Sequence, residues 1–249
     1  MGMCYGFYPV VKPLGGVDWV PREEFFRMHR EGRITVRGDG FHYVKDDIGV
    51  YTWRNGIEAA PMYWDLVPRR FLQKENPSKA DMLRQKNSRA KGSKGFSSYN
   101  ARSETVEELF SFRDPWREGK RMATPASAFR ERPNMDGAPP EFRGKEYEVH
   151  LDGPMYLAGI WDKWENLQGE SLESCSIITV DSLGNSVLRG IWHERCPLIL
   201  DESAVQEWLD PKTTPERARE MFRLFPAARM EARLVPPPPG KAPDQQSLL

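Results

Sequence analysis

Apolar and aromatic residues alternate with polar ones in short runs along most of the chain, a pattern typical of half-buried β-strands. These runs cover residues 5–11, 33–36, 41–44, 49–53, 61–67, 121–129, 146–151, 155–162, 174–180 and 197–200. Gly38-Asp39-Gly40 separates the second run from the third, and its composition favours a hairpin. Within residues 121–129 we expect a strand, a turn and a second strand.

Helical patterns are fewer and shorter than the strand patterns. They predict helices at residues 21–30, 103–112, 203–209 and 215–225. Ser103 is a suitable cap for the second helix, whose apolar face would consist of Val106, Leu109 and Phe110. Thr214 is a suitable cap for the last one. Many short strands with a few short helices predict an α+β fold, dominated by antiparallel sheet and barrel-like.

Two segments differ in composition from the rest of the chain. Residues 77–96 are rich in Lys, Arg, Ser and Asn and nearly lack large apolar residues, so they predict a partly disordered or weakly helical basic insertion. Residues 236–249 begin with four prolines and predict an extended, flexible tail. Residues 1–235 are therefore expected to form one domain.

Composition excludes several classes of protein. No run of about 18 or more apolar residues indicates a membrane span, and the N-terminal residues do not resemble a signal peptide. The three cysteines are odd in number and irregularly spaced, which argues against a disulfide framework or a zinc ribbon and favours a reducing cytoplasm. The four histidines are scattered, so neither a metal nor a cofactor is expected.

Charge is balanced overall but not locally. The chain has 36 Lys and Arg against 36 Asp and Glu, so net charge does not indicate a nucleic-acid partner. Residues 69–102, however, contain ten Lys or Arg and only two acids, Glu75 and Asp81. Such a segment can attract a phosphate backbone, or it can be a loop that its charges keep solvated.

Met3-Cys4 is the first candidate for chemistry. A cysteine at an amino terminus carries a free α-amine and a thiol on adjacent carbons. The amine can form a Schiff base with an aldehyde, and the thiol can then close a five-membered thiazolidine ring. The alternative is that Cys4 is an ordinary buried cysteine in the first strand.

Three further residues have side chains suited to acid–base or positioning roles. Asn100 precedes the predicted helix at residues 103–112, Glu131 follows the strands of residues 121–129, and His193 precedes the last predicted strand. A carboxylate and an imidazole can move the protons that Schiff-base chemistry requires. Taken singly, each could instead be a turn residue, a surface acid or a structural histidine, because no spacing rule links them.

Together these residues fall in ordered blocks that resemble the SRAP domain family (SOS response-associated peptidase-like). The family pattern has Met-Cys, Trp-Gly-Leu-Ile-Pro, Asn-Ala-Arg-x-Glu-Thr, Pro-Ala-x-Gly-Phe-Tyr-Glu-Trp and Ile-His-x-Arg-Met-Pro in this order. The corresponding segments here are residues 3–4, 64–68, 100–105, 125–132 and 191–197. The third block matches in full from Asn100 to Thr105, and the blocks extend over most of the chain.

The resemblance implies that the chain recognises abasic sites in single-stranded DNA and forms a thiazolidine crosslink that protects the lesion. Cys4 would be the nucleophile, Asn100 would orient its amine, Glu131 would move protons, and His193 would hydrogen-bond the sugar oxygen. The residues that the resemblance implies for DNA binding are Trp64, Pro68, Arg102, Thr179 and Arg195.

The roles within that DNA-binding set differ. Arg102 and Arg195 would contact phosphates, whereas Trp64 and Pro68 would form an apolar wedge or a stacking platform for exposed bases. The basic segment at residues 69–94 would add affinity that depends on salt and not on base sequence. The expected protein is a monomer in the cytoplasm, associated with the nucleoid when bound to DNA. We expect no membrane, metal or cofactor.

The chain departs from the pattern at several positions. Met1-Gly2-Met3 precedes Cys4, and an amide-linked Cys4 nitrogen could not form the ring. Three alternatives follow: translation starts at Met3, proteolysis exposes Cys4, or the protein binds DNA without crosslinking. A cysteine peptidase that acts on itself or on other chains is a further alternative. The substituted positions are Tyr5 and Gly6 after the cysteine, Asp65, Ala128, Arg130, Arg132 and Cys196.

Overall fold

The computed structural model describes residues 5–9, 14, 42–88 and 97–236. Eleven strands within these residues belong to one sheet. In chain order they are β1 Gly6–Pro9, β2 His42–Tyr43, β3 Asp47–Trp53, β4 Ile57–Trp64, β5 Asn100–Arg102, β6 Arg121–Glu131, β7 Tyr147–Glu165, β8 Ser171–Asp181, β9 Arg195–Pro197, β10 Ile199–Leu200 and β11 Met230–Leu234.

Five of these strands close into a barrel. The order β7–β8–β4–β3–β6 returns to β7, because β6 and β7 also pair with each other in antiparallel orientation. The remaining strands extend the sheet outside this ring: β10 and β11 pair with β7, β5 and β9 with β8, and β1 with β6 and β2. The prediction of a β-rich, barrel-like α+β fold is confirmed.

The described helices are short. They are α1 Lys79–Asn87, α2 Arg113–Arg117, α3 Ser186–Gly190, α4 Glu202–Leu209 and α5 Pro215–Arg219, with single 3-10 turns at Pro140–Phe142 and Ala227–Arg229. Thr214 caps α5 as predicted, its hydroxyl accepting from the Arg217 amide at 3.2 Å. Among the described residues, no helix has both the length and the apolar composition to cross a membrane.

Two strand predictions were wrong in their continuity. Residues 121–129 do not turn: β6 runs unbroken from Arg121 to Glu131, with a register shift between Ala126 and Ala128. The predicted strands 146–151 and 155–162 are parts of the single strand β7. The local sequence suggested a break, but neighbouring strands hold β7 along its length, with β11 at one end and β8 at the other.

The helix predicted at residues 103–112 was also wrong. This segment is a series of turns, and its first amide, that of Ser103, donates to the Thr179 carbonyl of β8 at 2.9 Å. Of the predicted apolar face, only Val106 is buried, whereas Leu109 and Phe110 are 48% and 47% exposed. The hydrogen bond from Ser103 to β8 therefore outweighs the weak helical preference of this segment.

Other predictions differ from the structure in extent. Helix α5 is shorter than the predicted helix at residues 215–225, and both α3 and β11 were missed. The helix at residues 21–30, the strand at residues 33–36 and the turn at Gly38-Asp39-Gly40 lie outside the described residues, as does the tail after Pro236.

The basic insertion contains a helix that is tied to the core. Ser78 caps α1, and Lys86 near its end has a fully buried side chain that forms an ion pair with Asp65. Asp65 also accepts from the Ser98 amide at 2.8 Å and from the Ser98 hydroxyl at 3.1 Å. Burial lowers the pKa of Lys86, and the charge of Asp65 opposes that shift. One of the ten cations of residues 69–102 therefore stabilises the fold and is not available to solvent.

We expect Asp65→Ala to lower the free energy of unfolding by about 3–5 kcal/mol, because it leaves a buried ammonium without its carboxylate. The double variant Asp65→Leu, Lys86→Met should recover part of that loss, since it removes both charges but leaves the buried Ser98 amide without its acceptor. Arg84→Met is the control, because Arg84 lies on the same helix with its side chain 75% exposed. Urea unfolding measures the free energy of unfolding of the wild-type protein and each variant. A loss below about 1 kcal/mol for Asp65→Ala would contradict a buried ion pair between Asp65 and Lys86.

Candidate active site

A carboxyl and an imidazole lie in contact inside the protein. Glu131 ends β6 and His193 follows α3, and both side chains are completely buried. Their nearest atoms, Glu131 Oε2 and His193 Nε2, are 3.0 Å apart. Glu131 Oε1 has no hydrogen-bond partner among the described residues. A buried carboxyl with a free oxygen is chemically available to a ligand in a way that a fully bonded one is not.

Backbone contacts fix the orientation of His193. Its amide donates to the Leu188 carbonyl at 2.9 Å, and its own carbonyl accepts from the Ser182 hydroxyl at 2.7 Å. The preceding residue, Trp192, has a φ of 57°, which is unusual for a bulky side chain. This conformation turns the chain sharply between α3 and β9, and it directs His193 toward β6.

The second ring nitrogen determines which tautomer His193 adopts. Nδ1 lies 2.8 Å from the Arg132 carbonyl oxygen, which can only accept a hydrogen bond. Nδ1 therefore carries the proton in the neutral ring, and Nε2 presents a lone pair to Glu131. A hydrogen bond between Nε2 and Glu131 Oε2 then requires the proton to lie on the carboxyl.

The pKa shifts agree with this arrangement. Burial raises the pKa of Glu131 well above its ordinary value, so the neutral acid is favoured. Burial also lowers the pKa of His193 to about 4, helped by the charge of Arg195 and opposed by the bond to the Arg132 carbonyl. At neutral pH the pair consists of a carboxylic acid beside a neutral imidazole, which can donate and accept a proton without creating an isolated buried charge.

Cys4 lies outside the described residues, but the chain directly after it is placed beside this pair. Gly6 pairs with Arg130, the residue before Glu131. Burial raises the pKa of Tyr5, and its hydrogen bond with Glu146 adds to that shift. A Cβ at Gly6 would lie 3.0 Å from the ring of Tyr43, so a larger residue here would require that ring to move. The strand that follows Cys4 is thus held against the end of β6.

Two residues beside Glu131 that differ from the family pattern, Arg130 and Arg132, make contacts at this end of β6. The Arg132 guanidinium lies 4.8 Å from the ring centroid of Tyr5 and donates to Glu146 at 2.7 Å. Arg130 forms ion pairs with Glu146 and Glu148 at 3.2 and 3.0 Å. These arginines replace the Tyr and Trp of the family pattern, and they order the approach to Glu131 through charge instead of aromatic packing.

A second group of predicted residues gathers around the end of β8. Thr179 is buried and lies opposite Arg102 of β5 and Pro197 of β9. Arg195 is also buried, and its Nη2 donates to the Thr179 carbonyl at 2.5 Å. Arg102 has a side chain 46% exposed, with a long contact of 3.5 Å to Glu194. Of the two predicted phosphate contacts, Arg102 is the accessible one.

Glu104 is a partner that the sequence did not single out. It receives two parallel hydrogen bonds from Arg195, at 2.9 and 2.8 Å, the bidentate geometry typical of strong carboxylate pairs. Despite partial burial, these bonds hold the pKa of Glu104 below its ordinary value. Glu104 lies within the Asn-Ala-Arg-x-Glu-Thr block, so its place in that motif was the available signal.

The structure corrects the roles expected for Trp64 and Pro68. Trp64 is fully buried, packs against Phe7 with ring centroids 5.3 Å apart, and donates from Nε1 to the Tyr99 carbonyl at 2.9 Å. Pro68 is buried as well. Neither side chain offers a face to a base, so in this structure both are core residues. Asn100, which begins β5, is also buried, with its backbone opposite Ile177.

The remaining titratable residues indicate no second chemical centre in the part of the chain that the structure describes. No group of three or more His, Cys, Asp or Glu side chains in those residues could hold a metal ion. Cys175 and Cys196 are free and buried, and burial raises the pKa of both thiols. These two cysteines are therefore poor nucleophiles.

Comparisons with known proteins agree with this architecture. The family model described as SOS response associated peptidase (SRAP) matches residues 43–238. The abasic site processing protein YobE of Bacillus subtilis is 35% identical over 142 residues, 57% of this chain and 62% of the relative. The abasic site processing protein HMCES of Rattus norvegicus is 34% identical over 176 residues, 60% of this chain and 44% of the relative. The chain thus spans less than two thirds of the length of these curated relatives.

Solved structures show the same fold at lower identity. A crystal structure from Bordetella bronchiseptica aligns with a TM-score of 0.66 and 20% identity, covering 94% of this chain and 100% of that one. Another, from Bacteroides thetaiotaomicron, also has a TM-score of 0.66 and 20% identity and covers 94% and 92% of the two chains.

Stability should depend on pH in a way that reports the Glu131–His193 pair. Because the pKa of Glu131 is raised from 4.5, its contribution to stability falls as pH rises above that value. The lowered pKa of His193 acts with the opposite sign, and its contribution rises with pH between about 4 and 6.5. The two slopes oppose each other between 4.5 and 6.5, and above 6.5 only that of Glu131 remains.

Glu131→Gln removes the pH dependence of stability that comes from Glu131 and keeps the one that comes from His193. We expect the wild-type protein to lose unfolding free energy relative to the variant as pH rises above 4.5, by at most about 1.4 kcal/mol per pH unit. Urea unfolding at a series of pH values measures both, with the exposed Glu108→Gln as control. Parallel curves for the wild-type protein and Glu131→Gln would contradict the neutral pair.

Proposed function

The chain belongs to the SOS response associated peptidase family, and from this premise we propose that it processes abasic sites in single-stranded DNA through a thiazolidine crosslink at Cys4. The proposal requires Cys4 to be the N-terminal residue of the reacting protein. Relatives named abasic site processing proteins support the substrate class. The observation that carries the chemistry is the buried Glu131–His193 pair beside the strand that follows Cys4.

The proposed reaction condenses one aldehyde with one cysteine and releases one water. The α-amine of Cys4 attacks the aldehyde carbon of the ring-opened deoxyribose, which gives a carbinolamine. Loss of its hydroxyl as water gives a Schiff base, and the Cys4 sulfur then adds to the same carbon as the thiol proton leaves. One C–N and one C–S bond form, and the C=O bond is lost.

Each of the two buried groups has a role that its protonation state permits. The neutral Glu131 carboxyl can donate a proton to the departing hydroxyl and, once ionised, can take up the proton that the amine or thiol releases. His193 Nε2 accepts a hydrogen bond from Glu131 in the resting pair, and it can pass a proton to the sugar oxygen when the ring opens. Asn100 is assigned to orienting the amine.

DNA binding is proposed to use charges that remain accessible. Arg102 can exchange its long contact with Glu194 for a phosphate, whereas Arg195 and Thr179 would act from a more buried position. The basic residues between 69 and 94 would contribute a salt-dependent attraction, without Lys86, which is committed to Asp65.

The experiment uses protein that begins at Cys4, mixed with single-stranded DNA that carries one abasic site. We expect an adduct whose intact mass is the sum of protein and DNA minus one water. Glu131→Gln should slow its formation by roughly 10²–10⁴-fold, because glutamine cannot transfer the proton. Cys4→Ala should abolish the adduct, and Glu108→Gln should react like the wild-type protein.

Other outcomes favour the alternatives. Absence of the adduct, while an established family member reacts under the same conditions, would refute crosslinking. Salt-dependent DNA binding that persists in Cys4→Ala without any adduct would indicate a binding module. Loss of residues 1–3 from the full chain that fails in Glu131→Gln, read by intact mass, would indicate self-processing.

A further inference from the structure

Three half-buried aromatic side chains lie together next to the Glu131–His193 pair. Phe142 contacts Tyr147 with ring centroids 6.4 Å apart and near-parallel planes, at 29°. Phe142 also contacts Trp192, at 6.3 Å and 55°. None of the three residues is fully buried or fully exposed. We call Phe142, Tyr147 and Trp192 the aromatic platform.

The platform is connected to both members of the pair. Tyr147 lies directly opposite Glu131 in the β6–β7 register, so the two side chains are on the same face of the sheet. Trp192 immediately precedes His193 in the chain. Phe142, from the loop between β6 and β7, joins these two rings. A ligand that approaches Glu131 and His193 along this face of the sheet would therefore contact the aromatic platform.

Exposure increases outward along this face. Glu131 is fully buried, Tyr147 is half-buried, and Leu234, which lies opposite Tyr147 on β11, is 51% exposed. The face thus leads from solvent over apolar and aromatic side chains to a carboxyl with a free oxygen. That gradient suits a ligand with a flat apolar part and a polar reacting part.

Cations accompany the aromatic rings. Arg143 and Lys145 follow Phe142, are exposed, and form no ion pair with another described residue. Aromatic side chains beside uncommitted cations are the combination that binds single-stranded nucleic acid, because the rings stack on bases and the cations attract phosphates.

The backbone of Trp192 is strained, and strain of this kind is common at functional sites. Its φ of 57° lies in the left-handed region, where a bulky residue is disfavoured and glycine or asparagine is common. The amides of Asn134 and Met135 both donate to the Trp192 carbonyl, at 2.9 and 3.1 Å, and so hold it in this conformation. The loop that carries Phe142 thus also fixes Trp192.

We propose that the aromatic platform stacks on the base adjacent to the abasic nucleotide and so aligns the sugar with Glu131 and His193. This inference rests on the proposed function, since it takes the same single-stranded DNA as ligand. It assigns to Phe142, Tyr147 and Trp192 the base-stacking role that the sequence had suggested for the buried Trp64.

The test measures binding separately from crosslinking. The full chain is titrated into single-stranded DNA that contains a tetrahydrofuran abasic analogue, which has no aldehyde and cannot crosslink, with 2-aminopurine beside it. We expect binding, followed by anisotropy, and quenching of 2-aminopurine as it stacks. Trp192→Leu and Phe142→Leu should each weaken binding by roughly 5- to 100-fold and reduce the quenching.

Control variants separate a local role from a general one. Trp53 ends β3 and is 40% exposed. Its neighbour Thr52 pairs with Met122, at the opposite end of β6 from Glu131. The control variant Trp53→Leu should therefore bind like the wild-type protein. Trp192→Gly suits the left-handed backbone, so a binding loss in this variant cannot result from added strain. Thermal melting by circular dichroism checks that each variant is folded.

Three outcomes are distinguishable. Quenching that is lost in the platform variants while Trp53→Leu is unaffected supports the inference. Normal affinity and normal quenching in folded Trp192→Leu and Phe142→Leu would overturn it and leave the proposed function intact. Failure of the wild-type chain to bind the abasic strand at all would overturn the proposed function together with this inference.

Discussion

Glu131 and His193 are two ionisable side chains in full burial, with Oε2 and Nε2 3.0 Å apart, and the rest of the site is arranged around their neutrality. A separated carboxylate and imidazolium would each need compensating partners at this depth. The Arg132 carbonyl resolves this by fixing the proton on Nδ1, which leaves Nε2 to accept from the carboxyl. Burial favours the neutral form of both groups, and this backbone oxygen sets the tautomer and thus the direction of the hydrogen bond between them.

Keeping these two side chains together requires elements that are distant in the chain. Strand β6 must run unbroken to Glu131, and the turn after α3 must bring His193 back toward it. The first strand is bound to the same end of β6, through the pairing of Gly6 with Arg130. The barrel therefore positions three separate parts of the chain at one point, and the proposed nucleophile would arrive there with the first of them.

The same structure limits how its positive charge can be used. Arg195 is held by Glu104 and Lys86 by Asp65, so these cations stabilise the fold before any ligand is present. Arg102, Arg143 and Lys145 are more accessible: Arg102 contacts Glu194, the residue after His193, and Arg143 and Lys145 follow Phe142 in the chain. Zero net charge is thus compatible with a local cationic surface, because the acids are not distributed evenly around the cations.

Local sequence determined the features that depend on neighbouring residues: strand periodicity, the Thr214 cap, and the β-rich class. The ordered motif also identified Glu131 and His193, since a motif keeps residue identity at positions that the fold brings together. Sequence did not determine that Trp64 is buried, that Glu104 holds Arg195, or that residues 103–112 are turns and not a helix. Those outcomes depend on partners tens of residues away, such as the Ser103 amide on the Thr179 carbonyl. The free energy of burying a polar or aromatic group is set by what surrounds it, and only the tertiary structure supplies those surroundings.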